Sequence, residues 1–356
     1  MSDFNLPTLS IKPILRISPS RYYAFQLCSL KEILAAAGHP GLLPVPPAAR
    51  IGTIVHKIIE MANAGKIRKE TQFNEAWQIE ISKNEESMVS NPLERHLVPL
   101  EETADDYEVK KFMTVQMISA FFSGSQKQVF QQGRSRQEEW LETKDGKIGG
   151  KIDQIQETSE GAVIIDYKTG SIVDEKNGRP KEEYQQQLRL YAALYFENYD
   201  IWPKKLVLVG IDRSVREILF SEEGCMRILE QAKKLLINTN DLILSGLPPD
   251  GFAAPSLEAC RYCLFRPGCQ KYWQARQDTE GWPIDLIGCI KEKGFSGNKL
   301  GRLVIERGEK KYIVRALSSR HSFLYGHNKN VLICNLGSDT SPNHYIERMM
   351  TTGYGF

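Results

Sequence analysis

Two short runs place acidic and basic side chains where they could act on one centre. They are Gly150-Lys151-Ile152-Asp153 and Asp166-Tyr167-Lys168-Thr169-Gly170, thirteen residues apart from aspartate to aspartate. The second run ends an apolar stretch, Ala162-Val163-Ile164-Ile165, of the kind that forms a buried strand. Side chains repeat every second residue along a strand, so Asp166 and Lys168 share a face. A carboxylate and an ammonium carried on a buried strand are costly unless they are paired or put to use. Asp153 adds a second carboxylate from the preceding strand. Two carboxylates and a lysine suit metal-assisted phosphodiester hydrolysis. The acids hold a hard divalent cation, and the lysine balances charge near the attacking water or the scissile phosphate. The bland alternative is an internal Asp–Lys ion pair.

Two helical stretches could complete such a centre. In Arg50-Ile-Gly52-Thr-Ile-Val-His56-Lys-Ile-Ile-Glu60, residues Gly52, His56 and Glu60 fall on one face at four-residue steps. Gly52 allows close backbone approach, and His56 offers a neutral nitrogen to an ion such as manganese. A histidine satisfied in the core or at the surface is the alternative. In Gln187-Leu-Arg-Leu-Tyr191 an amide and a phenol stand four residues apart and could orient the lysine, the water or a phosphate. An amphipathic helix packing Leu188, Tyr191 and Leu194 onto the sheet would look the same.

The elements that must position these residues are legible in outline. A helix is expected from Ser20 onward, a loop over Gly38–Pro47 where prolines crowd, a helix from Ile51 to about Ala64, and mostly helix over 67–134 with a break at Asn91-Pro92. A meander follows: Gln137–Glu142, a turn at Lys144–Lys147, Ile148–Glu157, a turn at Thr158–Gly161, and Ala162–Lys168. Next come a helix over Glu182–Asn198, strands at Lys205–Asp212 and Val215–Phe220, and a helix over Glu222–Leu244. Beyond Gly281 the chain carries short β-like runs at Gly301–Glu306, Lys311–Leu317 and Asn330–Leu336, with a turn at Gly308-Glu309.

Taken in order, these motifs resemble the PD-(D/E)XK nuclease superfamily, and within it the RecB-like branch. The branch carries a glycine–histidine motif, Gly-x-x-Asp, Asp-x-Lys and Gln-x-x-x-Tyr. The matching positions are Gly52 and His56, Gly150 and Asp153, Asp166 and Lys168, and Gln187 and Tyr191. The resemblance covers roughly residues 18–275. It implies an α/β fold with a restriction-endonuclease-like core, a mixed central sheet flanked by helices, and leaves a smaller β-rich C-terminal appendage outside it. The expected division is a nuclease domain over 1–275 and a β-rich module over 281–356. It further implies that His56, Asp153, Asp166 and the Tyr167 carbonyl hold Mg²⁺ or Mn²⁺. Lys168 would position the water and stabilise developing negative charge, and Gln187 and Tyr191 would support the lysine or the substrate. Glu60 extends the same helical face as a further candidate of the first motif. The implied activity is DNA hydrolysis at single strands or ends, in recombination, repair or defence. The alternative within the same resemblance is a non-catalytic nuclease-like DNA-binding or scaffolding subunit.

The run Cys260-Arg-Tyr-Cys263-Leu-Phe-Arg-Pro-Gly-Cys269 puts three thiolates within reach of one centre. Zinc would ordinarily find a fourth ligand locally, yet no histidine follows before His321. The resemblance implies a different closure. In a subset of RecB-like nucleases, including CRISPR adaptation nucleases and AddB-type subunits, a distant cysteine ahead of the core completes a 4Fe-4S cluster, and Cys28 sits in the matching place. Zinc and unligated thiols remain alternatives. Cys225, Cys289 and Cys334 lie outside the pattern and read as packing residues.

Composition excludes little. The chain has 356 residues, enough for about two domains. Forty-six Lys and Arg stand against 44 Asp and Glu, so any nucleic-acid footprint must be local. Residues 291–320 supply one candidate, with Lys291, Lys293, Lys299, Arg302, Arg307, Lys310, Lys311, Arg315 and Arg320 and the aromatics Phe295 and Tyr312. Such a face tracks a phosphate backbone or is simply solvated. No stretch reads as a signal peptide or membrane span, so a cytoplasmic protein is expected. No phosphate-binding Gly-x4-Gly-Lys-Ser/Thr run occurs, so a helicase motor, or an integrase partner, would be a separate chain.

Overall fold

The computed structural model describes residues 8–122, 135–276, 281–297 and 299–356. The chain groups into two compact units. One comprises Lys12–Ala37 and Pro46–Leu247; the other gathers residues up to Ile11, Gly38–Val45 and Pro248–Phe356.

The first unit is built on a five-stranded mixed sheet, in order β1 (Ser135–Glu142), β2 (Gly149–Thr158), β3 (Gly161–Lys168), β4 (Lys205–Gly210) and β5 (Val215–Glu217). The first three strands form the expected antiparallel meander, and β4 lies parallel to β3. A parallel neighbour needs a crossover, and here a long helix supplies it between Lys168 and Lys205. In the apolar run of β3, Ala162 is buried and Ile164 and Ile165 are fully enclosed, while Val163 is partly exposed. β5 is shorter than expected and ends at Glu217, with Ile218 still bonded through its N–H to the Leu206 carbonyl.

The helices ahead of the sheet are α1 (Pro19–Leu27), α2 (Ser29–Ala36), α3 (Pro47–Asn63), α4 (Glu70–Ser90), the single turn α5 (Leu100–Thr103) and α6 (Tyr107–Phe122). Helix α1 begins one residue earlier than the sequence suggests, because Pro19 takes the first helical position, where its missing N–H costs nothing. In α3, Ile51, Ile54, Val55, Ile58, Ile59 and Ala62 form the buried stripe at three- and four-residue spacing. The expected break after α4 occurs at Asn91. The last part of the expected helical stretch, 123–134, lies outside the described residues. The crossover helix α7 (Glu182–Tyr199) and then α8 (Glu222–Leu244) complete the unit. Within it, α7 buries Leu188, Tyr191 and Leu194, as an amphipathic helix must.

The second unit carries a seven-stranded sheet in order β10-β11-β8-β7-β6-β9-β12. Its strands are β6 (Leu286–Phe295), β7 (Gly301–Arg307), β8 (Lys310–Leu317), β9 (Asn330–Cys334), β10 (Gly337–Ser338), β11 (His344–Ile346) and β12 (Thr352–Gly355). Sequence reading missed β6, whose solvent half, Lys291-Glu-Lys-Gly-Phe295, lacks apolar alternation. The β7–β8 turn falls at Gly308, which takes the positive φ of 61° that such a turn requires. Leu303, Ile305, Val314, Val331 and Ile333 form the core of this sheet. Helices α9 (Leu257–Arg261) and α10 (Gln270–Ala275) belong to the same unit. The segment between them is fastened by a buried ion pair. Arg266 Nε lies 2.7 Å from Asp285 Oδ2, with side chains 3% and 0% exposed. Tyr272 donates to the same oxygen at 2.7 Å, the Asn335 N–H donates to Asp285 Oδ1 at 2.8 Å, and Arg266 also donates to Asn335. Burial would raise the Asp285 carboxyl, but Arg266 and these donors hold it below its ordinary range.

Replacing Asp285 by alanine leaves Arg266 buried without a counter-ion. The expected loss is about 3–5 kcal/mol of stability, read as a lowered midpoint in urea unfolding of the full chain, whereas Arg315→Ala, at a surface pair with Asp339, should move the midpoint far less.

Candidate active site

The meander and the crossover helix bring the predicted residues together at the C-terminal end of β3. Gln154 pairs with Ile165 across β2 and β3, which sets Asp153 opposite Asp166. The Tyr167 N–H donates to Asp153 Oδ2 at 2.8 Å, fixing that carboxylate against the third strand. Lys168 Nζ lies 2.9 Å from Asp166 Oδ2. Gln187, one turn into α7, bridges the pair: its Nε2 donates to Asp166 Oδ1 at 2.8 Å and its Oε1 accepts from Lys168 Nζ at 2.8 Å. Only one orientation of the amide satisfies both partners, so the network itself settles which end is nitrogen.

Tyr191 lies beside Gln187 on the same helix and reaches the neighbouring strand. Its hydroxyl donates to the Lys151 carbonyl at 2.8 Å and braces β2. A Cβ at Gly150 would stand 2.7 Å from Pro19 Cδ and 3.4 Å from Tyr191 Cε1. Glycine there lets α1 and α7 close on the strand. The Tyr167 side chain turns away from the acids, its hydroxyl donating to buried Gln154 at 2.7 Å.

From the helical side, α3 presents Gly52, His56 and Glu60 as a half-buried stripe. A Cβ at Gly52 would lie 3.2 Å from Thr169 Oγ1, so this glycine permits the helix to approach the loop after Lys168. His56 lies within the field of the site. Burial lowers its pKa, Lys168 lowers it further, and Asp166 and Glu138 only partly oppose them. The imidazole is therefore held neutral, the form that ligates a metal. Glu60 is turned to its own helix and pairs with Lys57 at 2.8 Å.

Asp153 carries the electrostatic conflict of the site. Burial and then the neighbouring Asp166 push its carboxyl up to about 8, against the lowering influence of the Tyr167 N–H and Lys168. Asp166 Oδ2 is buried and receives no aligned hydrogen bond. Two crowded carboxylates and a neutral imidazole form a donor set suited to a hard divalent ion. Among the described residues, no three His, Cys, Asp or Glu side chains already stand in a metal-ligating array. The side chains would have to draw inward around an ion.

Three contributors were not anticipated. Glu138, bracketed by the pairs Gln137–Gln154 and Glu139–Ile152, lies opposite Asp153. Its φ of 53° breaks the pleat of β1 in the left-handed region, a strain typical of working sites. It forms an ion pair with Lys151, and its charge helps raise both His56 and Asp153. Nothing in the local sequence pattern marks it, because its place follows from the β1–β2 register and its left-handed backbone. Lys110, on α6, donates to the Thr169 carbonyl and fastens the loop after Lys168. The Tyr184 ring lies 4.9 Å from Lys168 Nζ.

The cysteines divide between the units. Cys28 is half-buried at the junction of α1 and α2, in the first unit. Cys260, Cys263 and Cys269 are buried in the second, where the Cys269 thiol caps α10 by accepting from the Tyr272 N–H at 3.4 Å. Cys225 and Cys334 are buried as expected, but Cys289 is exposed and so is no packing residue. In the basic tail, Lys291, Arg302, Arg315 and Arg320 pair with Glu306, Glu292, Asp339 and Glu347, and Lys293 is spent on the Gly326 and Asn328 carbonyls. No helix among the described residues is long and apolar enough to cross a membrane.

The order of motifs and the sheet that carries them are now fixed, and the family model of the PD-(D/E)XK nuclease superfamily matches residues 16–270. The chain belongs to the PD-(D/E)XK nuclease superfamily. No curated protein gives a significant match. The mixed sheet with its crossover helix and the β-rich C-terminal region accord with a restriction-endonuclease-like fold.

The raised Asp153 carboxyl makes a pH prediction for the metal-free protein. The folded state holds this proton between the ordinary aspartate range near 4 and about 8, while the unfolded chain has released it. Stability must therefore fall as pH rises across that window, by up to about 1.4 kcal/mol per pH unit. Asp153→Asn keeps an oxygen for the Tyr167 N–H and removes the titration. In EDTA its melting temperature should exceed that of the wild type at pH 8 and converge with it at pH 4; parallel curves would refute the raised carboxyl.

Proposed function

We propose that this protein is a divalent-metal-dependent deoxyribonuclease of the RecB-like branch, acting on single-stranded DNA or DNA ends in recombination, repair or defence. One observation carries the reading: Gln187 locks Asp166 and Lys168 together beside a second, charge-frustrated carboxylate, Asp153. A structural ion pair has no need of the third charge.

Asp153, Asp166, His56 and the Tyr167 carbonyl would hold Mg²⁺ or Mn²⁺. A bound ion of this kind supplies Lewis-acid polarisation of the phosphoryl oxygen and a more acidic water. Lys168 keeps a fixed positive charge beside the position where negative charge develops, and fixed charges in a partly buried site act without reorganisation. Gln187 holds that ammonium in register, and Tyr191 holds the strand that carries Asp153. Glu138 and Lys151 neutralise one another at the edge of the site.

The cysteine set supports a 4Fe-4S staple in this reading. Three closely spaced buried thiols and Cys28 match the spacing found in the iron-sulfur members of the branch. Zinc is the rival occupant of the same thiols.

Two measurements test these claims separately. Labelled single- and double-stranded DNA is incubated with the full chain and Mn²⁺ or Mg²⁺. Cleavage is expected, and Asp166→Ala and Lys168→Ala should each lower it by about 10³-fold or more while remaining folded. A wild-type protein that binds DNA and never cuts it would instead be a non-catalytic subunit. For the cluster, anaerobically purified protein should be brown and Cys28→Ser should lose its iron. Full iron content in that variant would show that Cys28 is not a ligand, and a colourless zinc protein would remove the cluster while leaving the nuclease reading intact.

A further inference from the structure

Lys168 is held on two sides by polar partners and on a third by a ring that no motif predicts. Its ammonium has three N–H donors. One is directed to Gln187 Oε1 at 2.8 Å, and Asp166 Oδ2 lies 2.9 Å away. The face of Tyr184 stands 4.9 Å from the same nitrogen, within the range of cation–π attraction. Tyr184 precedes Gln187 by three residues on α7, so both side chains project from the same helical face toward the end of β3. Lys181 Nζ lies 5.6 Å from the same ring centroid, which puts two ammonium groups about one aromatic ring. Burial, and then Glu183, raise the Tyr184 hydroxyl well above its usual range, so the ring stays neutral wherever the enzyme would work. The Lys168 side chain is left only 15% exposed.

We propose that Tyr184 is a positioning residue: its ring closes the side of the Lys168 ammonium that Asp166 and Gln187 leave open, and keeps the lysine from swinging into solvent. The ring acts through its face and not through its hydroxyl. Phenylalanine should therefore replace it, and an aliphatic side chain should not. A lysine has four rotatable bonds, and two polar anchors alone leave the outward rotamers open to it. The kinetic consequence rests on the nuclease reading; the placement does not.

The test combines a chemical readout with a kinetic one. Metal-free full-length protein, as wild type, Tyr184→Phe, Tyr184→Leu and Tyr184→Met, is acetylated briefly with an N-hydroxysuccinimide ester. Modification at Lys168 is then quantified by peptide mass spectrometry, with melting temperatures measured in parallel. Slow labelling of Lys168 is expected in the wild type and Tyr184→Phe. About tenfold faster labelling is expected in Tyr184→Leu and Tyr184→Met, two aliphatic variants of different shape, so that one suffices if the other does not fold. In DNA cleavage with Mn²⁺, the aliphatic variants should lose about tenfold in kcat with KM within about twofold, and Tyr184→Phe should match the wild type. Unchanged Lys168 labelling in a normally melting aliphatic variant overturns the proposal. So does a Tyr184→Phe protein as defective as Tyr184→Leu. The expected labelling pattern in a wild-type protein that cuts no DNA upholds the positioning role and refutes the nuclease reading instead.

Discussion

A single side-chain amide governs the geometry of this site. Gln187 gives its N–H to Asp166 and its carbonyl to Lys168, so a neutral group stands between two opposite charges and fixes both. The amide comes from α7, and α7 must lie where it does because β3 and β4 are parallel and need a crossover. Sheet topology therefore dictates which helix overlies the end of β3, and the helix period dictates which of its residues arrive there. Gln187 and Tyr184 are three apart, and Gln187 and Tyr191 four apart, so one face of the crossover reaches the acid, the lysine and the neighbouring strand.

The remaining groups follow from the charge that this arrangement gathers. Asp153 and Asp166 face one another across two strands. Their repulsion, added to burial, leaves Asp153 reluctant to ionise. Glu138 adds to the strain, at a position where β1 leaves the regular pleat. Lys151 takes up the Glu138 charge at the exposed rim, while the deeper oxygen of Asp166 is left without an aligned donor. Glycines make the approach of the elements possible. Gly150 admits Pro19 and Tyr191, and Gly52 admits the loop after Lys168. A methyl group at Gly150 would force the Pro19 ring to move, and one at Gly52 would press on the Thr169 hydroxyl.

Much of this was readable in the sequence because it depends on local periodicity. The buried run before Asp166 gave a strand, and the two-residue repeat put Asp166 and Lys168 on one side, where they are in contact. The hairpin turns gave the meander and its order. What escaped depends on distant pairing. Glu138 becomes a neighbour of Asp153 only through the β1–β2 register and a residue of left-handed backbone, and no propensity announces either. Tyr191 could have served the lysine or the strand by spacing alone, and its bond to the Lys151 carbonyl decides it. Strand β6 was hidden because half of its length is charged and exposed, which erases alternation. The basic run in the tail looked like an open electrostatic face. Several of its charges are answered by carboxylates far off in sequence, Asp339 and Glu347 among them.

The protein also contains its own comparison for what a buried charge means. In the second unit Asp285 is as buried as Asp166, yet both of its oxygens are saturated: Arg266 Nε and the Tyr272 hydroxyl on one, the Asn335 N–H on the other. Its carboxyl is held below the ordinary range, as a closed network should hold it. In the first unit the same kinds of residue are left open. Asp153 is pushed up, His56 is pushed down, and an oxygen of Asp166 lacks an aligned donor. Both networks were folded by the same chain under the same rule that buried polar groups find partners. Where the rule is met, burial of the ions stiffens a fold. Where two carboxylates crowd together with a single lysine between them and solvent, burial leaves a charge conflict that the fold itself does not settle.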